Sequence, residues 1–224
     1  MVPSQAPWVA SLSMNVSDME LHNLEEFYKI HAKFYDWTRP WFLFDRKKAI
    51  ERLDVHAGDN VIDCACGTGL NIPMLLRRKA HVTGTDYSSS MLQRAKKKYP
   101  SIQFVQGDIA TYQFDERADR IICTYSLSMV AQWEKAIENM QSTLKKDGRL
   151  VILDFHHPWR GFRKILYPLF RWWLRKHEVD PEKQIVPCLK KHFENVQVHA
   201  MRCGYNFIAV ATAPYGCAAE GRIG

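Results

Sequence analysis

The chain has 224 residues, 46% of them hydrophobic and 25% charged, with a net charge of +7. That is enough apolar chain for one domain with a sizeable core, and it excludes a disordered tail, a collagen-like fibre or a small disulfide scaffold. No apolar run is long enough to span a bilayer, and the opening MVPSQAPWVASLS lacks the basic region and apolar core of a secretory signal.

Residues 1–17 read as a loose leader. From Asp18 to Leu53 apolar residues recur at helical spacing (Leu21, Leu24, Phe27 and Tyr28, then Phe42, Leu43, Ala49, Ile50 and Leu53), with Pro40 between two helices, so 18–54 is expected to form a helical cap. Beyond the Gly58-Asp59 turn the texture changes. Asn60–Ala65 reads as a buried strand, followed by a helix that Asn71 and Pro73 open and that runs to about Lys79. His81–Thr85, Ile102–Val105, Ala118–Thr124 and Arg149–Asp154 read as further strands, with helices over Ser88–Lys98 and Ala131–Leu144. Asn195–Arg202 and Asn206–Ala213, separated only by Cys203-Gly204-Tyr205, suit an antiparallel hairpin. The pattern predicts an α/β fold over residues 55–214: a Rossmann-like, doubly wound seven-stranded sheet with an antiparallel C-terminal edge hairpin. Residues 215–224 read as a mobile tail.

Six cysteines (64, 66, 123, 188, 203 and 217) form no zinc or disulfide pattern. Cys64 and Cys66 make a C-x-C with no second pair at finger-like spacing, and several thiols lie in apolar runs as small buried hydrophobes. Reduced thiols without a signal point to the cytoplasm, and no metal is expected.

The first strand runs into Asp63-Cys64-Ala65-Cys66-Gly67-Thr68-Gly69. Small residues let the backbone turn sharply against a ligand, and the helix that follows offers free N–H groups. Asp86 closes the second strand and Asp108 follows the third, so three acids meet at the sheet edge where open parallel sheets bind ligands. Three carboxylates would repel a pyrophosphate, which favours a cationic or neutral ligand over a dinucleotide.

Val61-Ile62-Asp63-x-x-Cys66-Gly67-Thr68-Gly69, Gly84-Thr85-Asp86-Tyr87-Ser88-x-x-Met91-Leu92, Gly107-Asp108 and Leu144-Lys145-x-x-Gly148-x-Leu150 resemble the class I S-adenosylmethionine-dependent methyltransferases over about residues 55–155. The resemblance implies S-adenosyl-L-methionine as cofactor, with S-adenosyl-L-homocysteine as product. Asp63 and the backbone of Ala65, Gly67 and Gly69 would hold the methionine moiety, and Asp86 the ribose hydroxyls. Tyr87 and Met91 would flank the adenine, Asp108 would accept its amino group, and Ile109 would pack on it. Tyr125 and Ser126 would sit under the sulfonium. Ala65 departs from a common glycine, and its methyl group is expected to be tolerated. Methyl transfer needs mainly alignment; a base is required only where the nucleophile arrives protonated, and His156 and His157 are the candidates, the alternative being a polar strand end. Asp154 reads as structural.

Between residues 159 and 191 nine basic residues face three acids. The insert at 158–180 carries an aromatic segment, 159–176. On a helical wheel Phe162, Ile165, Leu166, Leu169, Phe170, Trp172 and Trp173 share one side, and Arg160, Arg163, Lys164, Arg171 and Arg175 the other, with Leu174 and Lys176 out of place and Pro168 breaking the helix. Such a segment suits an anionic membrane surface, or a lid packed on the sheet. With Phe34-Tyr35-Asp36-Trp37-Thr38-Arg39-Pro40-Trp41 and Arg46, it resembles the phospholipid and betaine-lipid head-group N-methyltransferases. That resemblance implies Tyr35 as a cap on the transfer site, and Arg39 or Arg46 as holders of a phosphate or carboxylate, or as surface pairs. The expected function is methyl transfer to a lipid head-group amine, phosphatidylethanolamine or a betaine-lipid precursor, by a cytoplasmic protein peripheral at the membrane. The alternatives are a small soluble acceptor or a quinone, then nucleic acid, which the missing Asn/Asp-Pro-Pro-aromatic motif disfavours, and a fold that binds cofactor without turnover.

Overall fold

Apolar residues along each strand alternate between two hydrophobic clusters, as they must in a sheet buried on both faces. The computed structural model describes residues 44–155, 171–172, 174–175, 179–180, 182–202 and 205–215. In chain order these form α1 (Arg46–Leu53), β1 (Asn60–Cys64), α2 (Ile72–Leu76), β2 (His81–Asp86), α3 (Ser89–Lys98), β3 (Gln103–Gln106) and β4 (Ala118–Thr124). A 3-10 turn at Leu127–Met129 leads to α4 (Trp133–Thr143), β5 (Leu144–Phe155), α5 (Ile185–His192), β6 (Phe193–Met201) and β7 (Asn206–Pro214).

The strands order β3-β2-β1-β4-β5-β7-β6. β1 to β5 run parallel, while β7 pairs antiparallel with both β5 and β6. The chain therefore leaves β1 in one direction, through β2 to β3, and returns on the other side as β4 and β5. The strand order reverses between β1 and β4, the switch point at whose carboxyl ends open sheets of this kind bind ligands. The expected sheet is found.

α1, α2 and α3 cover one face, burying Ala49, Ile50, Leu53, Ile72, Leu75, Leu92 and Ala95 against Val61, Ile122, Val151 and Leu153. α4 and α5 cover the other, with Ile137, Met140, Ile185 and Leu189 against Ile62, Ile121, Ile152 and Ala209. Ser88 caps α3 by accepting from the Met91 N–H, and Lys96–Lys98 close its last turn, where cations oppose the helix dipole. No helix stands between β3 and β4, which leaves a groove of about 480 Å³ along β1–β3, lined by Ile62, Thr83, Gln103, Val105, Tyr112 and Phe114.

Several elements differ from expectation. α2 stops at Leu76, short of Lys79, whose backbone is left-handed at φ 59°. β5 begins at Leu144 instead of Arg149, with Leu144 opposite Ala118 and Arg149 opposite Arg120, so residues 145–148 bulge out of the ladder. α5 is a helix the pattern did not suggest. The helical cap before residue 44, most of the basic insert and the tail beyond Tyr215 lie outside the described residues. Of the insert, Leu174, the residue out of place on the wheel, is fully buried, and Trp172 is 54% exposed. Arg171 and Arg175 both pair with Glu182. Among the described residues no helix is long and apolar enough to cross a membrane.

Candidate active site

Beyond β1 the chain reverses through Ala65–Leu70, held by backbone bonds to β2. Cys66 N–H donates to the Thr85 carbonyl at 2.9 Å, and Gly67 N–H donates to Asp86 Oδ2 at 2.7 Å. Gly67 and Gly69 sit at φ 57° and 81°, and a Cβ at Gly69 would lie 3.0 Å from the Tyr99 ring. Ala65 shares the left-handed region at φ 51°. Its methyl group is thus accommodated at a strain of about 1–2 kcal/mol, where glycine would pay none.

Asp63 is fully buried at the end of β1. Its Oδ1 accepts from Asn71 Nδ2 at 2.9 Å, and the same amide nitrogen lies 3.1 Å from Thr124 Oγ1. Arg46 completes the group, donating from Nη1 to Asn71 Oδ1 at 3.1 Å and to Thr124 Oγ1. Burial pushes the Asp63 carboxyl up to about 7, with Asn71 and Arg46 pulling it down and Asp86 pushing it further up. Asp86 is pushed up to about 6 by burial, against the N–H bonds of Ser88 and Gly67. Each of its oxygens takes one backbone donor, which ties the turn to β2 and leaves lone pairs for hydroxyl donors.

The expected adenine wall divides. Asp108 is half-buried, its Oδ1 accepting from Ala110 N–H at 2.9 Å, and Tyr87 is 37% exposed. Met91 and Ile109 are buried at 1% and 4% exposed, closed off from solvent. After β4, Ser126 Oγ lies within 3.1 Å of the Thr124 carbonyl and 3.3 Å of that of Ala65. Tyr125 is buried, and its hydroxyl is engaged twice, donating to the Phe44 carbonyl at 2.7 Å and accepting from Asn206 Nδ2 at 2.6 Å. Burial raises its phenol well above the usual range. Asp154 is structural, as expected, accepting from Ser128 N–H, Ser128 Oγ and Phe155 N–H.

The Arg46 guanidinium turns inward to Asn71 and Thr124, 5.6 Å from the Tyr125 ring. Tyr35, Arg39, His156 and His157 lie outside the described residues. Asn71, Thr124 and Asn206 were not singled out as site residues. Asn71 reads in sequence as a helix cap, yet its side chain makes no capping bond and serves Asp63.

Asp63 Oδ2 and Arg46 Nε are among the buried atoms without a partner, with Thr85 Oγ1 and Asn206 Oδ1 nearby. One unpaired acceptor and one unpaired donor in the same group suit the ammonium and carboxylate of an amino-acid moiety, and the acid of Asp86 suits a ribose. The residues present therefore fit S-adenosylmethionine. Among the described residues no cluster of His, Cys, Asp or Glu could hold a metal.

A doubly wound sheet with this turn at its switch point defines a nucleoside-cofactor fold. The Methyltransferase domain family model matches residues 61–148. The chain is 32% identical over 173 residues to the demethylmenaquinone methyltransferase of Tropheryma whipplei (strain Twist), covering 70% of each protein. It is 34% identical over 129 residues to that of Paenarthrobacter aurescens (strain TC1), covering 55% of this chain but about half, 49%, of that relative's length. In fold it resembles phosphoethanolamine N-methyltransferase 2 of Haemonchus contortus, solved with phosphomonomethylethanolamine and S-adenosylhomocysteine, at a TM-score of 0.71 and 14% identity, over 90% of this chain and 61% of that one. The chain belongs to the class I S-adenosylmethionine-dependent methyltransferases.

Proposed function

We propose that the protein transfers a methyl group from S-adenosylmethionine to a flat aromatic acceptor of the quinol class. The observation that carries the choice of acceptor is an aromatic wall at the carboxyl ends of β4 and β5. Tyr125 and Phe155 have ring centroids 5.1 Å apart, Phe155 and Tyr205 5.6 Å, and Phe44 and Tyr205 6.1 Å. Such edges and faces pack a planar ring. Among the described residues the two carboxylates bordering this wall are already engaged, Asp45 by Lys48 and Arg202 and Asp154 by Ser128. Neither is left to hold an ammonium, so the head-group amine first expected gives way to the quinone alternative. The curated relatives named above are demethylmenaquinone methyltransferases, which supports the same choice.

The cofactor supplies an electrophilic methyl on sulfur. The chain's contribution is placement: Asp63 and Arg46 for the amino-acid end, Asp86 for the ribose, Tyr87 and Asp108 for the base. Tyr125, its phenol raised and doubly bonded, serves as wall and not as base. A quinol surrenders a proton on methylation at carbon, and we assign its acceptance to His156 or His157, which follow Phe155 directly in sequence. Tyr35 and Arg39 keep their proposed places at the acceptor.

The test is transfer of labelled methyl to a demethylated naphthoquinol beside vesicles of phosphatidylethanolamine. Label in the quinol and none in the lipid supports the proposal. Label in the lipid alone overturns it in favour of the head-group amine.

A further inference from the structure

Two consecutive residues at the start of α1 reach to opposite sides of the site. Asp45 has a side chain 2% exposed, and its Oδ2 accepts from Arg202 Nε at 2.9 Å and from Asn206 Nδ2 at 3.4 Å. Lys48 holds the other oxygen at 2.9 Å. The Arg202 guanidinium also lies over the Phe44 ring, 4.1 Å from its centroid, and the Phe44 carbonyl takes the Tyr125 hydroxyl. Arg46 points the other way, to Asn71 and Thr124, and Asn71 in turn holds Asp63.

Asp45, Tyr125 and Arg202 all have left-handed backbones, at φ 63°, 57° and 47°. Each costs a non-glycine residue about 1–2 kcal/mol, and such conformations persist where surrounding bonds over-determine them. The far end of α1 has its own anchors. Arg149 pairs with Asp54 at 3.4 Å and donates to the Arg52 carbonyl, and Arg120 donates to the Asp54 carbonyl. The near end has Asp45.

We infer that Arg202 is a positioning residue for the cofactor site: by fixing Asp45 it fixes where Arg46 stands against Asn71 and Asp63, and so couples the β6–β7 turn to the glycine-rich turn. The inference rests on the strand-end site being the S-adenosylmethionine site. It makes a residue 139 positions beyond Asp63 a determinant of cofactor affinity through one shared peptide bond, Asp45–Arg46. Charge reports the coupling. Asp63 faces Arg46 from α1, Asp86 from β2, Cys64 and Cys66 on its own strand and turn, and Cys123 from β4. Arg46 is the one cation of that set, so an Arg46 that drifts leaves the carboxyl harder to ionise.

The test is calorimetric titration of the full chain with S-adenosylhomocysteine across pH, in the wild type, Arg202→Gln, Arg202→Lys, Arg46→Gln and Arg149→Gln. Arg202→Gln is expected to weaken binding about five- to tenfold and to move the pH midpoint of binding upward, in the direction that Arg46→Gln moves it. Arg202→Lys keeps a cation at Asp45 and restores most of both. Arg149→Gln lowers the melting temperature and leaves affinity and midpoint at wild-type values. An Arg202→Gln protein that melts lower but binds with wild-type affinity and midpoint overturns the inference while the cofactor assignment stands. A wild type that does not bind overturns the cofactor assignment, and the inference with it.

Discussion

At the residue scale the site is a compromise between folding and binding, with Asp63 and Asp86 at its centre. Both carboxyls are buried, and burial pushes them up to about 7 and about 6. A carboxyl whose folded value lies above its ordinary one binds its proton more tightly in the folded state. Its contribution to stability is therefore greatest below the unfolded value and is lost as pH rises through the folded one. The unliganded protein should lose stability as pH rises from about 4 to about 7 on this account. Asp63→Asn removes the larger share of that loss. Denaturant unfolding at pH 8 should find the unliganded variant about 2–4 kcal/mol more stable than the wild type, with the slope against pH flattened. A variant less stable than the wild type at pH 8 contradicts the placement of a strained carboxylate there.

At the scale of elements, short apolar runs alternating with helical spacing found the sheet, because strands covered on both faces read as near-continuous apolar runs. β4 agrees residue for residue with its expected range, Ala118–Thr124. α5 escaped because Pro187 reads as a breaker, although as the third residue of Ile185–His192 it occupies the first turn, where a missing N–H costs nothing. The glycine-rich turn and its three acids were legible because each ends a strand. The group around Arg46 was not, since its partners Asn71 and Thr124 stand 25 and 78 positions away, and Arg202 lies 157 from Asp45. Leu174, out of place on the wheel, is covered by neighbouring chain and not by amphipathic pattern: Val179 N–H folds back on its carbonyl. Thermal and denaturant unfolding check the burial of Leu174: Leu174→Ala should cost about 2–5 kcal/mol. A cost below about 0.5 kcal/mol would contradict the burial of Leu174.

At the scale of the whole molecule, strand order decides where chemistry can occur. The reversal between β1 and β4 brings Asp63, Asn71, Thr124 and Ser126 to one crevice, and β2 and β3 add Asp86 and Asp108 along its rim. The antiparallel return of β7 beside β5 delivers Asn206 to Tyr125 and Phe155, so the C-terminal hairpin completes the aromatic wall. α1 then spans the two halves. A cofactor seated in that crevice must meet Asp63 and Asp86 as carboxylates, so protons held at low pH have to leave on binding. Titration of the wild type with S-adenosylhomocysteine at pH 6 and pH 8, in buffers of different ionisation heat, tests this directly. Affinity should rise from pH 6 to pH 8, with net proton release at pH 6 that is absent at pH 8. No binding at either pH, or binding that weakens towards pH 8 with proton uptake, would contradict the cofactor site at these strand ends.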